Sequence, residues 1–324
     1  MELKKRISFW DNFKGILIFL VVFTHFLYNF TNIETAKYIV NIIYFFHMPA
    51  FIFISGYFSK KDIDFSKFLK YIIIYLIFNS VFVIYTGITT KRILGLTPFY
   101  SYWYLLALIA WRLIAKQIKT DKWYIVIPIC FIISLISGFF ADVSNVLAIE
   151  KILGFLPFFF IGYYLPKDLI ISFTEKRKAW VYIAGLIILV ISLSNAFFIS
   201  HSFDIQDYLL METYTKTTDI FIRLLVYIIA LVASFGLFCI IPNKTFKYNL
   251  FEKFGKNSLW IYVFHRPLTL IFSKLYTGPD NLYITICFII SILVCLFFSS
   301  NKLASILDKY LNKVVDYVCP KNTN

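Results

Sequence analysis

The sequence predicts an all-α integral membrane protein: a bundle of about ten transmembrane helices, both termini cytoplasmic, with an amphipathic helix at the C-terminus. Three observations carry this. Of 324 residues, 60% are hydrophobic and only 15% charged, whereas a soluble chain is about 45–50% apolar and about 25% charged. A single core cannot hide so much apolar surface, so the excess must face lipid. Apolar stretches of about 20 residues, the length that crosses a ~30 Å hydrocarbon layer, recur along the chain. Finally, the net charge of +14 gathers on alternate connecting segments, which makes it a topology signal rather than a nucleic-acid footprint. A secreted enzyme, a cytosolic enzyme and a nucleic-acid-binding domain are thereby excluded.

The apolar stretches are 13–30, 37–58, 68–87, 101–118, 123–140, 148–165, 179–199, 219–241, 257–275 and 282–300. Charges, Gly, Pro or Asn bound each one. The links are short, so 1–301 reads as one transmembrane domain and 302–324 as a cytoplasmic tail. No small-residue cleavage pattern follows Leu27, and the first span carries Lys14 and His25, so the N-terminus reads as retained rather than as a signal peptide. Pro49 removes a backbone donor and should kink or open the second span. The Ser55–Gly56 step permits close backbone approach.

Orientation follows from the basic residues. Roughly three-quarters of the Lys and Arg residues fall on one set of alternating segments, which the positive-inside bias makes cytoplasmic. Lys4, Lys5 and Arg6, then Lys60 and Lys61, then Lys176, Arg177 and Lys178 belong to it. The tail at 302–318 has apolar residues at helical spacing with lysines opposite, and should lie along the inner leaflet. The 200–218 loop is the longest external one and carries Asp204, Asp207 and Glu212. Cys130, Cys239, Cys287, Cys295 and Cys319 show no metal-ligand spacing and read as small buried hydrophobes.

Ionisable groups inside spans are costly and mark functional candidates. His25 lies eleven residues beyond Lys14, about 16 Å along a helix and nearly in phase with it. Asp11 and Asn29 fall close to the same stripe, which must therefore line a cavity. His47 and His265 reach similar depth from two other helices, and Ser258, Tyr262 and His265 share a face, with Arg266 one turn beyond Tyr262. Each has a plainer reading. A lone intramembrane histidine can be an interhelical hydrogen-bond partner, Lys14 a positive-inside anchor, and Trp103 part of an aromatic belt. Asp142 and Glu150 read as solvated loop acids, and His201 as plain surface.

The opening FWDNFKGILIFLVVFTH resembles the first helix of the acyltransferase family 3 membrane proteins, whose signature is a basic residue, ten intervening residues and a histidine, here Lys14 and His25. Arg is commoner at the first position, so Lys is a departure that weakens bidentate phosphate binding. FFHMPAFIFISGYFSKK (45–61) resembles the second motif of the family's fucose 4-O-acetylase-like, capsular-polysaccharide branch. SYWYL (101–105), LPFFFIGYYLP (156–166) and GKNSLWIYVFHRPL (255–268) follow in the family's order. The resemblance covers nearly the whole chain.

What the resemblance implies is O-acyl transfer, without a metal, from cytoplasmic acetyl-CoA to a sugar hydroxyl on a cell-surface glycan, free or lipid-linked, in the bacterial plasma membrane. Lys14, Arg6, Lys60 and Lys61, with Ser55, are then the donor-side candidates. His25 is the candidate base, a role that suits neutral imidazole. His47 is the second choice, and His265, Tyr262 or Arg266 would stabilise the oxyanion or hold the acceptor. Asp11, Asn29, Trp103 and Glu150 complete the substrate-side set, and the acidic outer loop is a further acceptor contact. A succinyl or other short acyl donor, a lipid-linked sugar carrier without acyl chemistry, and a non-catalytic scaffold are the alternatives.

Overall fold

The computed structural model describes residues 8–60, 65–86, 97–140, 146–243, 249–276 and 282–319. Among these the chain is helical and contains no strand, as lipid demands of a backbone that has no water to bond. The first half comprises α1 (Ser8–Leu27), α2 (Glu34–Tyr44), α3 (His47–Phe58), α4 (Phe65–Thr86), α5 (Trp103–Gln117), α6 (Trp123–Ile136), α7 (Ile149–Gly154) and α8 (Leu156–Tyr164). The second comprises α9 (Lys167–Lys176), α10 (Ala179–Ser202), α11 (Gln206–Leu209), α12 (Asp219–Ile240), α13 (Leu250–Lys256), α14 (Ser258–Leu275), α15 (Tyr283–Phe298) and α16 (Asn301–Val318).

Each of the ten apolar stretches contains helix, but they do not all make long spans. Among the described residues, four helical segments are long and apolar enough to cross a membrane: Ser8–Phe30, Glu34–Phe58, Ala179–Ser202 and Asp219–Ile240. The number rises to six if the bent pairs Leu156–Tyr164 with Lys167–Lys176 and Tyr283–Phe298 with Asn301–Val318 each count as one span. The expected ten is therefore not reached by length and composition. At 15 and 14 residues, α5 and α6 fall short of the ~20 that a straight crossing needs. The sixth stretch breaks between α7 and α8.

The chain divides into two compact units. One holds Met1–Ile54, Leu165–Leu209 and Leu225–Ala304; the other holds Ser55–Tyr164, Leu210–Leu224 and Ser305–Asn324. In the first, α1 packs along α13, α14 and α15. A methyl group at Gly15 would overlap the backbone carbonyl of Phe251, so only glycine lets α1 lie this close to α13. Asn12 ties the same corner together. Its amide donates to the Pro242 carbonyl at 2.9 Å and its oxygen accepts from Asn249 at 2.6 Å. Asn249 in turn caps α13 by accepting the Glu252 amide.

Two further devices shape this unit. α2 ends at Tyr44 and α3 begins at His47, so the opening expected from Pro49 falls at Phe45–Phe46, and Pro49 itself sits in the first turn of α3, where its missing donor costs little. The Ile43 carbonyl there receives the Phe46 amide at 3.2 Å and His47 Nδ1 at 2.8 Å. Near the end of α12, the Arg177 guanidinium donates to the carbonyls of Cys239 and Ile241 at 2.8 and 2.6 Å, a cation set against the negative end of a helix. The rings of Phe9, Phe173 and Tyr182 surround it. Burial lowers its pKa from the ordinary arginine value.

In the second unit Gly56 does for α3 what Gly15 does for α1: a methyl group there would overlap the Phe159 carbonyl of α8. Fully buried Trp111 donates from Nε1 to the Ile152 carbonyl at 2.7 Å, and Ser134 Oγ donates to the Gly154 carbonyl at 2.7 Å. These bonds draw α5 and α6 onto α7. On α16, Leu311 and Val315 are buried while Tyr310 and Tyr317 are exposed.

Candidate active site

The first unit brings α1 and α14 together through two polar contacts one turn apart. His25 Nδ1 lies 2.7 Å from His265 Nε2, with the ring planes 19° from parallel and the centroids 5.0 Å apart. Four residues further along in each segment, in the 3-10 turn that follows α1 and in α14, Asn29 Nδ2 donates to the Thr269 carbonyl at 3.4 Å. The matching steps mean that α1 and α14 run in the same direction here.

The hydrogen bonds fix the tautomers. His265 Nδ1 faces the Ile261 carbonyl oxygen at 3.2 Å, a group that only accepts, so Nδ1 carries the proton and Nε2 the lone pair. His25 Nδ1 must then donate to His265, which leaves the lone pair on His25 Nε2. His265 is fully buried, whereas His25 is only half-buried. The ring with the bare nitrogen is thus the one that a substrate can reach.

Around this pair the side chains are also polar or aromatic. Arg266 is buried and donates to Thr269 Oγ1 at 3.3 Å. The Tyr262 ring lies 5.9 Å from His265, centroid to centroid. The Tyr44 ring is nearly perpendicular to that of His25 at 6.5 Å and tilted to that of His47 at 4.9 Å, centroid to centroid. At the N-terminal end of α1, Lys14 Nζ stands 3.1 Å from Asp11 Oδ1, and 21% of the Lys14 side chain is exposed. A second pair, Lys256 with Glu252 at 2.6 Å, lies on the neighbouring α13.

The structure therefore gathers His25, His265, Tyr262, Arg266 and Asn29 in one place, with Lys14 and Asp11 at the other end of α1. Neither Asp11 nor Asn29 is the partner of the His25 ring: Asp11 pairs with Lys14, and Asn29 bonds backbone carbonyls. His47 is buried, and its Nδ1 is spent on the helix break described above. Among the outer-loop acids, Asp204 pairs with Lys37 at 3.6 Å and is 80% exposed, and Asp207 is exposed. His201, read as plain surface, is exposed but meets the Tyr38 hydroxyl at 2.5 Å.

The remaining candidates belong to the second unit. Ser55 Oγ hydrogen-bonds the Tyr104 hydroxyl at 2.6 Å, joining the Ser–Gly step to the SYWYL segment. Lys60 lies over the Tyr57 ring at 5.0 Å. Trp103 is buried and stacks on Phe155 at 5.3 Å, which places it in a packed interior rather than in a belt. Glu150, read as a solvated loop acid, is in fact buried, with Oε1 lacking a hydrogen-bond partner. Its turn begins with Leu147 and Ala148 in the left-handed region at φ 54° and 55°, which folds the residue inward. Arg6, Lys61 and Asp142 lie outside the described residues.

Sequence reasoning missed Tyr28, Tyr44 and Asn12. Tyr44 and Tyr28 are aromatic residues among many, and nothing in their spacing points at His25. Asn12 stands inside the FWDNFKG landmark, next to the singled-out Asp11. Among the described residues no group of three or more His, Cys, Asp or Glu side chains is placed to hold a metal. All five cysteines are free, and all but the half-buried Cys319 are buried.

Residues 7–300 match a family model described as an acyltransferase domain. The chain belongs to acyltransferase family 3. The family match fits what the helices display: a membrane acyltransferase, all-helical, that carries a half-buried imidazole with a free nitrogen. No curated protein and no solved structure matches the chain. Of the segments that resemble family motifs, the first and last meet in the first unit through His25 and His265, while Ser55 with Tyr104 and Gly56 with Phe159 join the middle ones in the second.

Proposed function

We propose that this acyltransferase moves an acetyl group from acetyl-CoA at the cytoplasmic face to a sugar hydroxyl of a cell-surface glycan, a capsular or exopolysaccharide unit that is free or lipid-linked, in a bacterial plasma membrane. The observation that carries the reading is the His25–His265 contact of 2.7 Å, because it leaves His25 Nε2 as a positioned proton acceptor beside a cationic side chain.

In this mechanism His25 Nε2 takes the proton of the sugar hydroxyl as its oxygen attacks the thioester carbonyl. His265 accepts the His25 Nδ1–H throughout, which holds the ring in the productive tautomer and spreads the imidazolium charge, the job a carboxylate does in the serine triad. The tetrahedral oxyanion is stabilised by Arg266 or the Tyr262 hydroxyl. It collapses by breaking the C–S bond, and the departing thiolate recovers the proton from His25. The sugar ester and free CoA are the products, and the histidine returns neutral.

Lys14 is the donor-phosphate contact in this reading. Its pairing with Asp11 at 3.1 Å cancels its charge within the pair, so the neighbouring cytoplasmic lysines share the work. The parallel course of α1 and α14 supports the ten-span reading, in which the first and ninth spans both run outward.

The test is transfer of label from radiolabelled acetyl-CoA, with succinyl-CoA in parallel, into the polysaccharide fraction of membranes that contain the protein. Label from acetyl-CoA that depends on His25 supports the reading. Label from succinyl-CoA alone changes the donor, and label from neither sinks it.

A further inference from the structure

The rings of Tyr28 and Tyr44 lie nearly parallel beside the candidate base. Tyr28 opens the single 3-10 turn that follows α1, and Tyr44 closes α2. Their planes are 9° from parallel with centroids 6.5 Å apart, and both side chains are half-buried and so within reach of a ligand. The Tyr44 ring stands nearly perpendicular to that of His25.

The geometry points to this pair as the platform that binds the acceptor's pyranose ring, an inference that rests on the glycan acceptor proposed above. A pyranose has an apolar face of C–H groups and a rim of hydroxyls. The flat apolar body of a tyrosine matches the face, and its hydroxyl matches the rim. A sugar lying on Tyr44 turns its rim toward His25 Nε2, which needs a hydroxyl proton to remove.

Two observations favour this over an ordinary interfacial belt or a donor site. Belt rings lie at the headgroup level against lipid, whereas the Tyr44 ring packs on two histidines, His25 and His47. Lys14 stands eleven residues before His25 and Tyr28 three residues after it, so a donor held at Lys14 approaches from the opposite side.

The experiment is saturation-transfer NMR on the full chain in lipid nanodiscs, with methyl α-D-glucopyranoside and methyl β-D-galactopyranoside as probes and acetyl-CoA binding as the control. The expected result is transfer to the sugar C–H protons in the wild type and in Tyr44→Phe, and a loss of about fivefold or more in Tyr44→Leu and Tyr28→Leu. Acetyl-CoA affinity stays within about twofold, since the pair makes no donor contact. Equal transfer in the wild type and the leucine variants overturns the platform, as does absence of transfer in the wild type. Loss of acetyl-CoA binding in the leucine variants assigns the rings to the donor's adenine instead. Sugar transfer that persists in the wild type while the wild type moves no acyl label to glycan leaves the platform standing and removes the acyltransfer reading.

Discussion

His25 and His265, 240 residues apart in the chain, meet nitrogen to nitrogen at 2.7 Å. The Ile261 carbonyl behind His265 decides which nitrogen of each ring bears a proton. One backbone acceptor on α14 thereby sets the chemical state of a side chain on α1, and the helix pairing that holds them is part of the site. His265 acts as a positioning residue, since it reaches the reacting atoms only through His25.

Replacing His265 separates position from chemistry. His265→Leu removes the acceptor for His25 Nδ1–H and lets the ring turn or change tautomer, and turnover should fall about 10²-fold or more with little change in the donor KM. His265→Gln retains an acceptor oxygen and should recover part of that loss. Steady-state kinetics on the two variants checks this; equal loss in both would mean that the pair is structural.

Lys14 and Asp11 form one ion pair at 3.1 Å, and their variants should act on the donor. Lys14→Ala should raise the acetyl-CoA KM about tenfold or more, the worth of a charge-assisted hydrogen bond. Asp11→Asn releases Lys14 and should lower it. Donor titrations at saturating acceptor would show either shift, and an unchanged KM in Lys14→Ala would make that residue a plain topology anchor.

His47 closes the helix break with its bond to Ile43. His47→Ala should cost about 1–3 kcal/mol of stability by removing a buried hydrogen bond and leaving a cavity where the ring packed. Its turnover per folded molecule should fall far less than that of His25→Ala. Thermal unfolding in mild detergent together with activity normalised to folded protein tests both halves.

Gly15 lets α1 touch α13. Gly15→Ala forces the helices apart at the Phe251 carbonyl and should cost about 1–3 kcal/mol as overpacking does, with Lys14 and Asp11 displaced alongside. A variant as stable as the wild type would show that the contact is looser than described.

Much of this architecture is legible in the sequence because lipid imposes it. The apolar stretches, the Lys14 and His25 spacing and the excluded soluble and nucleic-acid-binding classes all follow from length, phase and composition. The break at Phe45–Phe46 is harder to read, since hydropathy runs through it and Pro49 marks it only three residues late. Trp103 and Glu150 misled for the same reason. Whether a residue beside a loop is wet depends on what folds over it, and here Phe155 and the left-handed turn at Leu147–Ala148 take both inside. The partner of His25 was beyond reach, because three histidines share one depth and only the helix packing selects His265.

The most direct test of the account is ester-linked acetate on the surface glycan, quantified by NMR in a deletion strain complemented with the wild type or His25→Ala at equal protein levels. The account predicts acetate with the wild type and none with His25→Ala. Acetate that persists with His25→Ala would contradict it, because no base would then be needed at the end of the His265 hydrogen bond.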